Sequence, residues 1–338
     1  MNCYFSMSKY YYLIAGLPNL MFDGGKPPFT VSGFKDLLAQ HLTQSDMKLL
    51  NILFLDVENR NLLEQLQYPD YEMDPEGKLT FEELNVLITG IQKVIDAKKN
   101  IQALKAEKAE KEAARDEILG RYQDDYKVNI KIPKPPPPFR NKNKRIPAYF
   151  VKFARMYLES VGNEEVTTIP WEDRLSALYY DYAMKRSNAF IAEWFELNLN
   201  IINIYTALTC RKYKMDRTNY IVGDTEVSNK LRTSNARDFE LSETLEYLPA
   251  VFRIAEETDL LQRELKTDQL KWEWLDGKIF IHTFDMKFIL IYMLKIQMMD
   301  YWSSLDKATG DKAFRRLVET MKKGGKNTLE EFKRNNKK

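Results

Sequence analysis

Cysteine and histidine are nearly missing from this chain of 338 residues: Cys3 and Cys210 lie far apart, and His41 and His282 are the only imidazoles. Two distant thiols exclude a disulfide framework and a Cys-x-x-Cys metal or redox pair, and they fit a reducing compartment. Two lone histidines announce no triad and no zinc site. Glycine and proline number 13 each, lean for an all-β protein that turns every ten residues or so. No apolar run approaches the roughly 18 to 20 residues of a membrane helix. The apolar start from Tyr10 to Phe22 is broken by Pro18 and precedes no small-residue cleavage pattern, so a signal peptide is not expected. The net charge of +2 supplies no general drive toward nucleic acid or membrane.

What is present suits packed helices. Apolar residues make up 44% and aromatics 12%, ample for a sizeable core, and the length predicts two helical domains or one elongated one. Charge is uneven along the chain. Lys131 to Arg145 holds six basic residues and no acid, and Met321 to Lys338 holds seven against Glu330 and Glu331, leaving −9 on the remainder. These basic stretches read as a solvated linker and a solvated tail, or as docking points for an oppositely charged neighbour.

Ser32 can cap a short helix through about His41, and Leu49, Ile52, Leu53, Leu63 and Leu66 form an apolar stripe over one helix from about Ser45 to Gln67, which Pro69 stops. From Phe81 to about Tyr126 there is no proline, and Ala, Glu, Lys and Leu dominate. That composition predicts one very long helix, about 45 residues and on the order of 65 to 70 Å. Its apolar seam, Ile91, Val94, Ile101 and Leu104, dissolves into the alternating charges of Lys105 to Glu112, so the outer half reads as solvated. Ile132 to Pro138 follows, a run of fixed φ that acts as a stiff spacer or, less simply, as a ligand for an aromatic groove.

The second half predicts helices from Pro147 to Ser160, from Pro170 to Lys212 with an interruption at Ser187, from Glu243 to Lys266, from Asp268 to Leu275 before an Asp276-Gly277 break, from Phe284 to Ser304 after Thr283, and a last one ending near Lys323 after Gly310. The expected domains are an N-terminal helical domain over 1–130, a Pro/Lys-rich linker over 131–146, a C-terminal helical domain over 147–323 and a basic tail over 324–338. The expected fold is an all-α, elongated multi-helix bundle with negligible β-structure.

One loop carries a chemical pattern. Glu72 to Glu83 resembles a calcium-binding EF-hand loop, with Gly77, Leu79 and Glu83 at its sixth, eighth and twelfth positions and Glu72, Asp74, Glu76 and Glu83 as candidate ligands. Against this, Glu72 stands where a shorter Asp is needed, Pro75 stiffens the wrap, and no second loop pairs with it. A helix start explains the same residues: Thr80 as cap, Glu83 reciprocating three positions on, and Leu79 with Leu84 as a hydrophobic staple. Gly324 to Thr328 lacks the first glycine and the Gly-Lys-Ser/Thr order of a phosphate loop. Trp272, Trp274 and Trp302 read as core residues or as an aromatic platform, and no basic cluster accompanies them. No resident metal or other cofactor is expected.

The run from Asn188 to Asp216 resembles the repeated helix of the C/d-type subunit of V/A-type ATPases. An apolar helix with an internal Asn203-Ile204 leads to the basic end Arg211-Lys212 and then to the loop Tyr220-Ile221-Val222-Gly223. Phe284 to Leu317 resembles that family's C-terminal helix pair. Tyr11 to Pro18 and Lys26 to Phe29 are similar to a poorly characterised bacterial branch encoded among V/A-type ATPase subunits. The family's charged helix-end pattern is replaced here by Ile296 to Trp302, and Lys98 to Arg115 is an extra charged elaboration. The resemblance implies a funnel-like fold of three-helix units and a non-catalytic rotor coupling subunit. Its partners would be the membrane rotor ring and the central stalk, without nucleic acid, with only indirect membrane contact, and without any required homo-oligomer. The implied location is cytoplasmic, peripheral to the inner membrane. It also assigns Asn203, Arg211, Lys212 and Gly223 to an interface, although a helix end whose cations complement the dipole explains the two basic residues equally well. The alternatives are a free-standing helical adaptor, with or without a degenerate EF-hand-like loop, and, last, an enzyme.

Overall fold

A computed structural model describes residues 10–22, 26–68, 71–119, 130–161, 169–185, 188–279 and 284–305, the last five residues of the 71–119 stretch by their backbone only. Among these residues the fold is all-α, with no strand. The helices are α1 (Tyr11–Ala15), α2 (Val31–His41), α3 (Gln44–Ile52), α4 (Leu55–Gln67), α5 (Phe81–Leu119), α6 (Ala148–Ser160), α7 (Trp171–Met184), α8 (Ala189–Tyr213), α9 (Glu226–Thr233), α10 (Leu248–Ala255), α11 (Leu260–Ile279) and α12 (Met286–Ser304), with a 3-10 turn at Arg217–Asn219. The chain divides into two units, one made of residues 1–50 with 249–338 and the other of 51–248.

In the first unit α12 is the central helix. Ile289 through Ile296, Met298 and Met299 are all buried, as expected of a helix that is apolar nearly all round. Phe34 of α2 meets Tyr292 at 5.1 Å between ring centroids, and the Tyr292 hydroxyl donates to the Pro18 carbonyl at 2.9 Å. Helices α11 and α12 are joined by a ladder of polar and aromatic contacts spaced four residues apart on α11. Glu264 accepts from the Tyr301 hydroxyl at 2.8 Å, and Asp268 accepts from the Trp302 indole at 3.0 Å. The ladder continues with Trp272, whose ring lies 4.5 Å from the Lys295 ammonium, and ends at Asp276, which pairs with that same ammonium.

In the second unit, α6, α7 and α8 surround an aromatic core. Tyr149 meets Phe150 and Tyr182 at 5.0 Å each, and Tyr179 meets Phe195 at 5.0 Å. The hydroxyls buried there are satisfied: Tyr149 donates to Asn59, and Tyr179 to the Ile52 carbonyl at 2.6 Å. Burial pushes both phenols well above their ordinary pKa, so they serve as neutral donors.

Several expectations change. Residues 44–67 form two helices, because the backbone turns at Phe54 (φ −116°, ψ 13°), whose N–H bonds the Asn51 carbonyl at 3.2 Å. Thr30, not Ser32, caps α2 by accepting from Gly33 N–H. Helix α9 is unexpected from the sequence, being short and highly charged, and Thr225 caps it. Helix α11 runs through Lys266 and through Gly277, where a Cβ would meet nothing within 4 Å, so open surroundings there impose no break. Asp285 caps α12 by accepting from Phe288 N–H. The expected boundary over 131–146 falls inside the second unit, because the proline-rich segment is anchored there. Phe139 lies so close to α5 that a Cβ on Gly90 would overlap its ring. The predicted last helix, the basic tail, Gly162, Ser187, Thr283, Cys3, His282 and Gly324 to Thr328 lie outside the described residues.

Candidate functional site

Two loops of the second unit carry the sequence's candidate residues, and the same device holds both. In the EF-hand-like loop the Asn61 amide of α4 accepts from Asp74 N–H at 2.9 Å and donates to the Asp74 carbonyl at 3.3 Å. One planar side chain thus satisfies both backbone groups of one residue, as a neighbouring strand would. Glu58, also on α4 and 5% exposed, accepts from the N–H groups of Lys78 and Leu79, and Gln65 donates to the Phe81 carbonyl at 3.3 Å. Gly77 is required by this close approach, since a Cβ would sit 2.5 Å from the Asn61 amide nitrogen.

Two of the loop's carboxylates, Asp74 and Glu83, are engaged separately. Asp74 pairs with Arg60 at 3.3 Å and accepts from Glu76 N–H at 3.0 Å. Glu83 accepts from Thr80 N–H at 2.9 Å while Thr80 accepts from Glu83 N–H at 3.3 Å, which is the reciprocal capping box. Leu79 and Leu84, its staple, are both buried. Glu83 also accepts from Asn143 at 2.8 Å and Arg145 at 3.0 Å, beyond the proline-rich segment. The Thr80 N–H bond, more than the neighbouring Asn143 and Arg145, holds the Glu83 carboxyl below its usual range. Glu72, Asp74, Glu76 and Glu83 are therefore not gathered around one point, and among the described residues no three His, Cys, Asp or Glu side chains form a metal-holding group. Burial, opposed in part by Glu58, lowers the Lys78 pKa, and its ammonium donates to Asn51 at 2.6 Å.

The second loop follows α8. Asn203, fully buried, accepts from Val222 N–H at 2.9 Å and donates to the Val222 carbonyl at 2.8 Å, repeating the Asn61 clasp, and it reaches Ser228 at 3.1 Å. Gly223 has φ +79° and lies against Leu199. Three arginines bind carbonyls around this loop. Arg232 donates to those of Ile221 and Gly223, Arg217 to that of Ser234 at 2.9 Å, and Arg211 to those of Ala236 and Arg237 at 2.7 and 2.8 Å. The Arg211 guanidinium also covers the Phe239 ring at 3.8 Å. Burial, with Arg217 nearby, lowers its pKa from the ordinary value, and a guanidinium keeps its charge at neutral pH.

The structure thus divides the expected interface set. Asn203 is interior and Gly223 turns the loop backbone at positive φ, and both shape the surface without offering a side chain to it. Arg211 and Lys212 are exposed, although Arg211 also clamps the chain beneath it. The exposed aromatic platform is not formed by Trp272, which is buried, or by Trp302, whose indole is bonded within its unit. Exposed His41 ends α2. Sequence reading passes over the polar face of α4, Glu58, Asn61 and Gln65. Their spacing of three and four is a legible signal of a polar face turned toward something other than water. No described helix is long and apolar enough to cross a membrane.

No curated protein and no solved structure matches the chain. One family model matches residues 7–105 and 137–325, and so omits about the outer third of α5 and most of the proline-rich segment. The omitted part of α5 starts past Ile101, the last buried side chain among those described on this helix; over residues 106–114 the side chains are exposed or half-buried, with Lys111 paired to Glu107 at 2.6 Å and Lys108 to Glu112 at 3.6 Å. Because that match covers most of the sequence, the chain belongs to the family described as a protein of unknown function (DUF2764).

Proposed function

We propose that the chain is a non-catalytic coupling subunit of a V/A-type ATPase, linking the membrane rotor ring to the central stalk on the cytoplasmic side. The observation that supports this reading is the use made of buried polar side chains in the second unit. Asn61 and Asn203 each clasp both backbone groups of one loop residue, and arginines bind the carbonyls around the α8 end. Such a frame resists deformation, which a part that transmits torque requires, because close-packed interiors convey strain. Its work is contact, and the membrane is reached only through its partners.

The test is recovery of the tagged chain from native membranes and identification of what comes with it. Rotary ATPase catalytic and stalk subunits in stoichiometric amount are the expected result, together with genes for those subunits beside its own. Recovery of the chain alone, with no such neighbouring genes, would instead make it a free-standing helical adaptor. Charge reversal at Arg211 is a poor probe, since it also releases the Ala236 and Arg237 carbonyls; Lys212→Glu with Lys214→Glu spares that clamp.

A further inference from the structure

We infer that the turn leaving α8, Lys212-Tyr213-Lys214-Met215, is a docking knuckle for an acidic segment of a partner protein. This rests on the coupling reading and names the chemistry that its contact face recognises.

The first observation is conformational. Lys214 ends α8 in the left-handed region, φ 55° and ψ 38°. Glycine is the residue that takes this C-terminal position without steric cost, and a lysine held there is a backbone outlier of the kind that clusters at functional sites. The second observation is what the turn presents. Tyr213 is 64% exposed and Met215 42% exposed, while Lys212 and Lys214 form no ion pair among the described residues. Tyrosine and methionine are residue types enriched at protein interfaces, and the two ammonium groups beside them select an acidic partner by charge complementarity.

The third observation is the base on which the turn stands. Met215 N–H bonds the Cys210 carbonyl at 2.9 Å. Arg211 and Arg217 both lie over the Phe239 ring, at 3.8 and 5.6 Å, and bind carbonyls of 234, 236 and 237. The exposed residues are therefore pre-organised, which lowers the ordering cost of binding. A protein segment fits better than a bilayer. Exposed Asp216 follows the turn directly, and its carboxylate is kept ionised chiefly by the Thr218 N–H. Asp238 lies on the adjoining stretch. These anions oppose a broad anionic lipid plane more than they oppose a narrow acidic helix or strand whose contacts are confined to Lys212 and Lys214.

The test uses the full chain and a fluorescent 20-residue amphipathic peptide of Glu, Leu and Ala, read by anisotropy at low and moderate salt, with phosphatidylglycerol vesicles as the second arm. Lys214→Gly should leave the melting temperature unchanged or raise it, yet weaken peptide binding about fivefold. Tyr213→Ser should weaken binding similarly, Lys212→Glu with Lys214→Glu should abolish it, and Lys98→Glu with Lys99→Glu on α5 should leave it unchanged. Equal binding by all variants, or vesicle binding without peptide binding, overturns the knuckle. If the Lys212→Glu, Lys214→Glu chain still recovers rotary ATPase subunits, the knuckle fails and the coupling reading stands. Knuckle-dependent peptide binding by a chain that recovers no such subunits supports the knuckle and removes the coupling reading.

Discussion

Neutralising Asp276 should destabilise the first unit through a lysine on the neighbouring helix. The Lys295 side chain is 6% exposed, and among the described residues its ammonium meets the Asp276 carboxylate and the Trp272 face. Removing one partner of a fully buried pair costs about 3 to 5 kcal/mol, because the other charge is left stranded. Asp276 is 54% exposed, so water reaches the site and the cost falls to the range of a hydrogen bond between charged groups, about 1.5 to 3 kcal/mol. Lys295→Met keeps the packed stem and removes the charge. It forfeits a cation–π contact worth about 0.5 to 2 kcal/mol but also the desolvation of the ammonium, so its net effect is within about 1 kcal/mol. Asp276→Asn made in the Lys295→Met background should then cost nearly nothing. Urea unfolding of the four proteins, followed by circular dichroism and tryptophan fluorescence, gives the coupling energy directly. An equal cost for Asp276→Asn in both backgrounds, or Lys295→Met as the most damaging single change, would mean that no stranded Lys295 charge drives the loss.

Three further outcomes are expected. Asn203→Ala removes both of its bonds to Val222, leaving the N–H unpaired and the carbonyl with the Ser228 hydroxyl alone, and should cost about 2 to 3 kcal/mol, at about 1 to 1.5 kcal/mol per hydrogen bond; a loss of stability in urea below one quarter of that would show the loop to be held by the arginines instead. Glu83 has a folded pKa below its ordinary 4.5, so its contribution is present at neutral pH and is lost as pH falls through the folded value. The stability difference between wild type and Glu83→Gln should therefore narrow from pH 6 down to pH 3, and a gap that stays constant would exclude this carboxylate as the latch. Gly90→Ala places a methyl group where Phe139 packs, reversing the usual gain of about 0.5 to 1 kcal/mol for glycine replaced within a helix. Limited proteolysis should cut residues 131–138 faster in that variant, and an unchanged rate would mean that Phe139 does not anchor the segment.

The capping box at Thr80 and Glu83 is legible in the string of residues, because its partners are three positions apart and each bond is local. The same locality explains why the EF-hand resemblance misleads: glycine, an apolar residue and a glutamate at fixed spacing satisfy either reading. What decides between them lies on another helix, where Glu58 and Asn61 occupy the loop's backbone groups. At the α8 end the basic residues are visible, but their division is not. Arg211 and Lys212 look equivalent in a string of letters, whereas Phe239 and two carbonyls 25 and 26 residues downstream hold only the arginine.

By itself the sequence determined the all-α class, the long α5 and the positions of most helices, because composition, period and proline act over a few residues. The tertiary structure alone decided that the proline-rich segment lies within a unit rather than between two, that residues 1–50 join 249–338, and which polar side chains point inward. Each of those outcomes depends on which distant surface is nearby when a backbone group loses water, and a buried N–H or C=O must find its partner wherever the fold supplies one.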